Sequence, residues 1–304
     1  MSFDLNAPEL APYLDEPPQL PSGALGKNAF LRLRFERRDE RSILAFMDRN
    51  APLLVQRALY CDEGMPTLPV VFIITNSGGI LQGDRYRIEI EVASEAFAHV
   101  TTQAATKIHE MDANHASQFQ QITLHDHAYL EYIPDLVIPF RNARFLTRTQ
   151  INLAPTATLL YSEILMGGRL HYGGGESFAF DLFSSEVSAM SDRGHGLFVE
   201  KFVIEPARSP VTTSGVMGEF QVFGNAILLT PREHADKLYP RLPAEWCLDT
   251  GFAAGASRLP NDAGLVYKVV GRNSAVVRRK IRGFWELVRA EVLGRKVPTA
   301  FSWS

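Results

Sequence analysis

The residues best placed to do chemistry are acids beside glycine-rich or polar turns. Asp84 closes the run Ser77-Gly78-Gly79-Ile80-Leu81-Gln82-Gly83-Asp84, between the apolar segment Val70 to Thr75 and the alternating segment Arg85 to Val92. Gly78, Gly79 and Gly83 imply a tight turn or a close backbone approach, which leaves Asp84 at a strand mouth. The run lacks the Lys-Ser/Thr of a phosphate loop and opens a strand rather than a helix, so nucleotide binding is not expected. A structural bulge capped by Asp84 explains the same residues equally well.

A second polar run, Thr101-Thr102-Gln103-Ala104-Ala105-Thr106-Lys107, gains meaning from an internal repeat. Aligning Ala96, Ala128 and Ala157 brings four other positions into agreement: Ile90, Ile122 and Ile151; Val92, Leu124 and Leu153; Ala98, Leu130 and Leu159; Val100, Tyr132 and Tyr161. Six and seven residues past the alanines lie Thr102 and Gln103, Pro134 and Asp135, then Glu163 and Ile164. Stacked units would bring Gln103, Asp135 and Glu163 together along one edge, near the loop that carries Asp84. Buried unpaired carboxylates cost several kcal/mol apiece, on the order expected of protein interiors, so cations or water must accompany them. Oxygen donors bind nickel-like ions more weakly than imidazole or thiolate, and such a lining suits transit rather than storage. The competing expectation is ordinary salt bridges from these acids to Lys107, Arg141 and Arg169.

Other chemistries find little support. Of the eight histidines only His125 and His127 are close, in an expected turn, and no convergent catalytic metal set is visible. There is no Gly-x-Ser-x-Gly elbow and no Ser/His/Asp or Cys/His ordering.

The elements that must position these acids are mainly strands. From Asn28 to Glu205 the chain alternates β-branched and aromatic residues with polar ones. The turns Ala93-Ser94-Glu95, His125-Asp126-His127 and Ala154-Pro155-Thr156 divide each repeat unit into two half-strands, read here as a hairpin. One hairpin cannot bury its apolar face alone. The expected fold is therefore mainly β, stacked hairpins in a solenoid-like body or layered β-sandwich, with few helices. A short helix is expected from Thr230-Pro231-Arg232-Glu233 to about Tyr239. A longer one follows Ser274, with Val277, Ile281, Phe284, Val288 and Val292 on one face, and ends at Gly294. Arg278, Arg282 and Arg289 form another face, a solvated row or a partner-binding patch. Residues 1–27, with five prolines, read as an extended arm, and 28–304 as one domain.

Composition excludes several classes. Thirty-one Lys plus Arg against thirty-four Asp plus Glu gives a net charge of −3, without the footprint of a nucleic-acid binder. Two distant cysteines, Cys61 and Cys247, argue against a disulfide framework or a thiolate zinc site. No apolar run approaches the roughly 18 residues of a membrane span, and the acidic, proline-rich N-terminus does not read as a signal peptide. A cytoplasmic protein is expected.

The combination of Gly78-Gly79 with Gly83-Asp84, Thr101-Thr102-Gln103 with Thr106-Lys107, and Glu163-Ile164-Leu165 leading to Gly168-Arg169 resembles the UreD (UreH) family of urease accessory proteins. Gly175-Glu176-Ser177-Phe178, Gly255-Ala256-Ser257-Arg258-Leu259-Pro260 and the helix around Trp285 extend the resemblance over roughly Phe30 to Leu293. It implies a non-enzymatic maturation factor that joins UreF and the GTPase UreG and helps load nickel into apo-urease. The resemblance also implies an interior acid-lined path for the metal, with nickel in transit and no tightly bound cofactor. Asp84 and Glu163 match family motifs, Asp135 is placed by the repeat, and Gly78, Gly79, Gly83, Thr102, Gln103, Lys107, Arg169 and Glu176 are the accompanying motif positions. The alternatives from other classes are a metal-dependent or carbohydrate-active enzyme on a β-solenoid, with these acids as acid and base around a sugar-sized cleft, and a structural adaptor whose acids are all paired with arginines.

Overall fold

A computed structural model describes residues 7–15 and 28–299. Two sheets face each other. In the first, the strands run in the spatial order Gly196–Ile204, Leu182–Ser191, Arg144–Leu153, Ala116–Leu124, Arg85–Val92, Asn28–Arg38 and Arg41–Arg49. The inner five are parallel and the two edge strands antiparallel. The second contains parallel Val70–Thr75, Phe97–Thr102, Tyr129–Tyr132 and Thr158–Met166, extended antiparallel by Val222–Leu229, Gly264–Gly271, Phe252–Arg258 and Glu245–Cys247. Thr106–Ile108 and Val137–Pro139 pair in parallel on the connecting edge.

The repeat is a ladder register. Ile90, Ile122 and Ile151 are direct neighbours across the first sheet, as are Val92, Leu124 and Leu153. Ala98, Leu130 and Leu159, and Val100, Tyr132 and Tyr161, are neighbours across the second. The units are nevertheless not hairpins. In each, the first half-strand belongs to one sheet and the second to the other, so the turn is an arch and the strands pair with their equivalents in the next coil. The reason is the parallel stacking: both strands of an arch turn their apolar faces toward each other, and their backbone groups must be satisfied by neighbouring coils. Each arch closes with a three-residue bond, Ala96 N to Ala93 O, Ala128 N to His125 O and Ala157 N to Ala154 O, at 3.0–3.1 Å. The alanines are buried at the arches that join the two sheets.

The main core fills the space between the sheets. A second lies on the outer face of the second sheet, under the helix Ser274–Leu293, which buries Val277, Ile281, Phe284, Trp285 and Val288. Asn273 Oδ1 caps it by accepting from Val276 N at 3.1 Å, and Gly294 ends it with φ 63°. The short helix is Arg232–Leu238 with Pro231 at the N-cap; Thr230 does not cap it but shares a hydrogen bond with Thr158 at 2.9 Å.

The N-terminal segment departs from the expected extended arm over its described part. Pro8–Tyr13 forms a 3-10 helix against the first sheet, with Leu10 packed on Leu146 and Leu182. Ser184 Oγ and Lys201 Nζ both donate to Glu9 at 2.6 and 2.8 Å. Residues 1–6 and 16–27 lie outside the described residues.

Candidate functional site

Alternation sends every second residue of these strands between the sheets, and one transverse row of the first sheet is polar over four strands, between Ala29 and Phe202: Tyr86, Gln118, Thr147 and Ser185 are consecutive neighbours in register. Gln120 and Thr149 follow in the next row, where Val187 stands between Thr149 and Glu200 on the edge strand. The second sheet supplies the opposing groups. Thr102 Oγ1 accepts from Asp135 N at 2.9 Å, and further along Glu163, Asn225 and Lys268 are neighbours. The two sets enclose a cavity of about 60 Å³ whose walls include Tyr86, Thr102, Gln118, Gln120, Asp135, Thr147 and Glu163. That is room for several waters. Gln120 Oε1 and Thr147 Oγ1 are buried without a hydrogen-bond partner among the described residues, and buried acceptors of this kind require water or an ion.

At one end Asp84, fully buried, accepts from Leu81 N at 2.9 Å and from Tyr86 Oη at 2.8 Å. It does cap the glycine turn, and it bonds the cavity-wall residue Tyr86. The turn is pressed onto the connecting edge: Ile80 N donates to Lys107 O at 2.8 Å, and a Cβ at Gly79 would fall 2.7 Å from that carbonyl. At the other end Ser185 Oγ donates to Glu163 at 3.0 Å, and Asn225 Nδ2 donates to Glu163 at 3.4 Å and to Glu200 at 2.8 Å. Lys268 Nζ pairs with Glu200. Burial pushes the Glu163 carboxyl up to about 7, against the bonds from Ser185 and Asn225, with Glu200 adding to the rise. The seam is therefore a buried polar stripe whose unpaired acceptors call for water or an ion. Among the described residues no three His, Cys, Asp or Glu side chains converge as metal ligands.

The comparisons agree with one another. The family model for the UreD urease accessory protein matches residues 27–304. A urease accessory protein UreD 2 from Brucella suis biovar 1 (strain 1330) is 59% identical over 298 residues, 98% of this chain and 99% of its own. A urease accessory protein UreD from Yersinia pseudotuberculosis serotype O:1b (strain IP 31758) is 52% identical over 302 residues, 99% and 94% of the two chains. The chain belongs to the UreD family of urease accessory proteins. Its role is in urease maturation.

Several motif positions of this UreD chain lie away from the seam. Gln103 and Lys107 are exposed, and neither lines the cavity: the chain turns out of the second sheet at Thr102, toward the connecting edge. Arg169 forks onto Glu176 at 2.6 and 2.7 Å, sandwiched between the rings of Phe140 and Tyr172. Arg141 N also bonds Glu176, and together these contacts hold its carboxyl below the usual range. Arg141 and Arg169 thus serve Glu176, not the seam acids. Asp135 is paired after all, with Arg278 of the long helix. His125 bonds Glu91 on the surface.

The arginine face of the long helix is neither a solvated row nor an open patch. Arg289 is fully buried: Nε and Nη2 donate to Glu131 at 2.8 and 2.6 Å, and Nη1 pairs with Asp62. His99 Nδ1 and Tyr129 Oη also reach Glu131, both at 2.8 Å. Burial alone would raise the Glu131 carboxyl, but the Arg289 and His99 bonds overcome it and hold it at about 2. This cluster fixes the helix, and through Arg278 the helix holds Asp135 at the cavity wall.

Proposed function

We propose that this chain is a non-enzymatic cytoplasmic scaffold that acts with UreF and the GTPase UreG and hands nickel to apo-urease along the polar seam. The carrying observation is the continuous inward-facing row from Tyr86 to Ser185, with unpartnered acceptors on the way and the carboxylates Asp135 and Glu163 on the cavity wall. Hydroxyl, amide and carboxylate oxygens bind nickel weakly enough to release it, as transit requires. A cavity of about 60 Å³ is far below the roughly 300 Å³ at which small-molecule pockets begin, which weighs against a sugar-cleaving site.

The test co-expresses urease and its accessory proteins with Glu163→Gln or Thr147→Val. Neither change removes a partner of a buried ion pair. We expect intact assembly of the accessory complex and a several-fold drop in urease nickel content, read by elemental analysis. Normal nickel loading with both variants would remove the seam from the route. Failed assembly with both would favour a purely structural adaptor.

A further inference from the structure

The acidic end of the seam carries a cation of its own. Glu163, Asn225 and Lys268 are successive cross-strand neighbours, and Glu200 faces them from the edge of the other sheet. Asn225 has no exposed surface and donates through Nδ2 to both carboxylates, yet its Oδ1 has no partner among the described residues. The Thr147 hydroxyl, beside Ser185 and on the wall shared with Glu163, is likewise buried and unpartnered. Two carboxylates with an unused amide oxygen and an unused hydroxyl nearby form an oxygen-donor set. Lys268 pairs with it from outside: its side chain is about half-exposed, and it lines an open groove of about 280 Å³ with Phe202 and Phe223.

We propose that Lys268 is a tethered counter-cation that occupies the Glu163–Glu200 end of the seam until a divalent cation replaces it and the ammonium swings into the groove. In the exchange the Lys268 ammonium leaves Glu200 for solvent, and one divalent cation takes its place, held by the Glu163 and Glu200 carboxylates that Asn225 bridges. The groups facing Glu163 are Ser185 and Glu200 from the first sheet and Asn225, Lys268, Tyr132 and Tyr161 from the second. Lys268 is the cation among them, and its flexible stem allows it to leave without disturbing the backbone. A monovalent ion would leave the pair of carboxylates uncompensated. The exchange gives the seam a release step, because the returning ammonium competes with the departing metal.

For its biological use this inference rests on the reading of the seam as a nickel route; the ion exchange itself does not. The full chain is titrated calorimetrically with nickel chloride at pH 7.5. Lys268→Met keeps the stem and removes the competitor, so nickel should bind about two- to fivefold tighter, the factor expected of an exposed ion pair. Lys268→Arg should bind as the parent does, and Lys268→Met/Glu200→Gln should lose the gain. Unchanged affinity in folded Lys268→Met, equal tightening by Arg, or a gain that survives Glu200→Gln would overturn the exchange. Urease nickel content separates the two ideas. A binding contrast with undiminished loading in Glu163→Gln overturns only the route, whereas impaired loading without the contrast overturns only the exchange.

Discussion

Truncating Arg289 to alanine would remove the cation from a cluster without solvent access. Its guanidinium makes two bonds to Glu131, pairs with Asp62 and lies 5.0 Å from the Trp285 ring centroid. Removal leaves two buried carboxylates without a guanidinium, with His99, the Tyr129 hydroxyl and backbone N–H groups as their remaining partners. Holding the Glu131 carboxyl at about 2 instead of 4.5 corresponds to on the order of 3 kcal/mol at about 1.36 kcal/mol per pH unit. Breaking a buried pair by deleting one partner costs about 3–5 kcal/mol, so the two routes agree. The folded value lies below the unfolded one. The stabilisation is therefore complete above about pH 4.5 and is lost as pH falls toward 2, and the gap between parent and variant should narrow in acid. Urea unfolding followed by tryptophan fluorescence at pH 7 and pH 3.5 reads both quantities. A loss below about 1 kcal/mol at pH 7, or a gap that does not change with pH, would refute the reasoning. Arg289→Met with Glu131→Gln should recover part of the loss, because no carboxylate at position 131 is then left uncompensated.

Glu163 should have the opposite pH signature. Its folded value of about 7 lies above 4.5, so the folded chain holds a proton that the unfolded chain releases, and stability falls as pH rises between those values. Glu163→Gln should then gain relative to the parent in urea midpoints at pH 8 but not at pH 4. Gly79→Ala places a Cβ 2.7 Å from Lys107 O at φ 155° and should cost about 2 kcal/mol or more in thermal or urea unfolding. Ala128→Leu overfills a buried arch and should cost about 1–3 kcal/mol, while a surface change such as Val199→Thr should stay within about 0.5 kcal/mol.

The repeat shows both the reach of pattern reading and its limit. The agreement of Ile90, Ile122 and Ile151 identifies positions that share a row, and the structure places them side by side. It does not identify which strands pair. A polar turn of three residues can reverse a hairpin within one sheet or cross between two, and alternation is the same in both. What separates them is the spacing of about 30 residues between units: an in-register row of identical offsets demands parallel neighbours, and a hairpin supplies an antiparallel one. Asp135 and Arg289 fail for another reason. Their partners, Arg278 and Glu131, lie 143 and 158 residues away in sequence, and helical spacing says only that the arginines share a side, not what the sheet presents beneath them.

The seam itself was within reach of the sequence. In Ala116–Leu124, Ile122 and Leu124 fix which parity points inward, and Gln118 and Gln120 share it. Ile151 and Leu153 do the same for Thr147 and Thr149, as Val187 and Ala189 do for Ser185. A single polar residue on an inward face can find a local partner. Polar residues at matching rows of three successive parallel strands cannot all do so, because their backbone groups are already spent on the ladder and the neighbours in the row carry the same need. Such a stripe must be hydrated or must carry something, and its ends should be sought where it meets ionisable groups. The Asp84–Tyr86 contact and the Glu163–Glu200–Lys268 cluster lie at those ends, which makes inward-parity polarity a better guide to this site than the glycine run that first drew attention to Asp84.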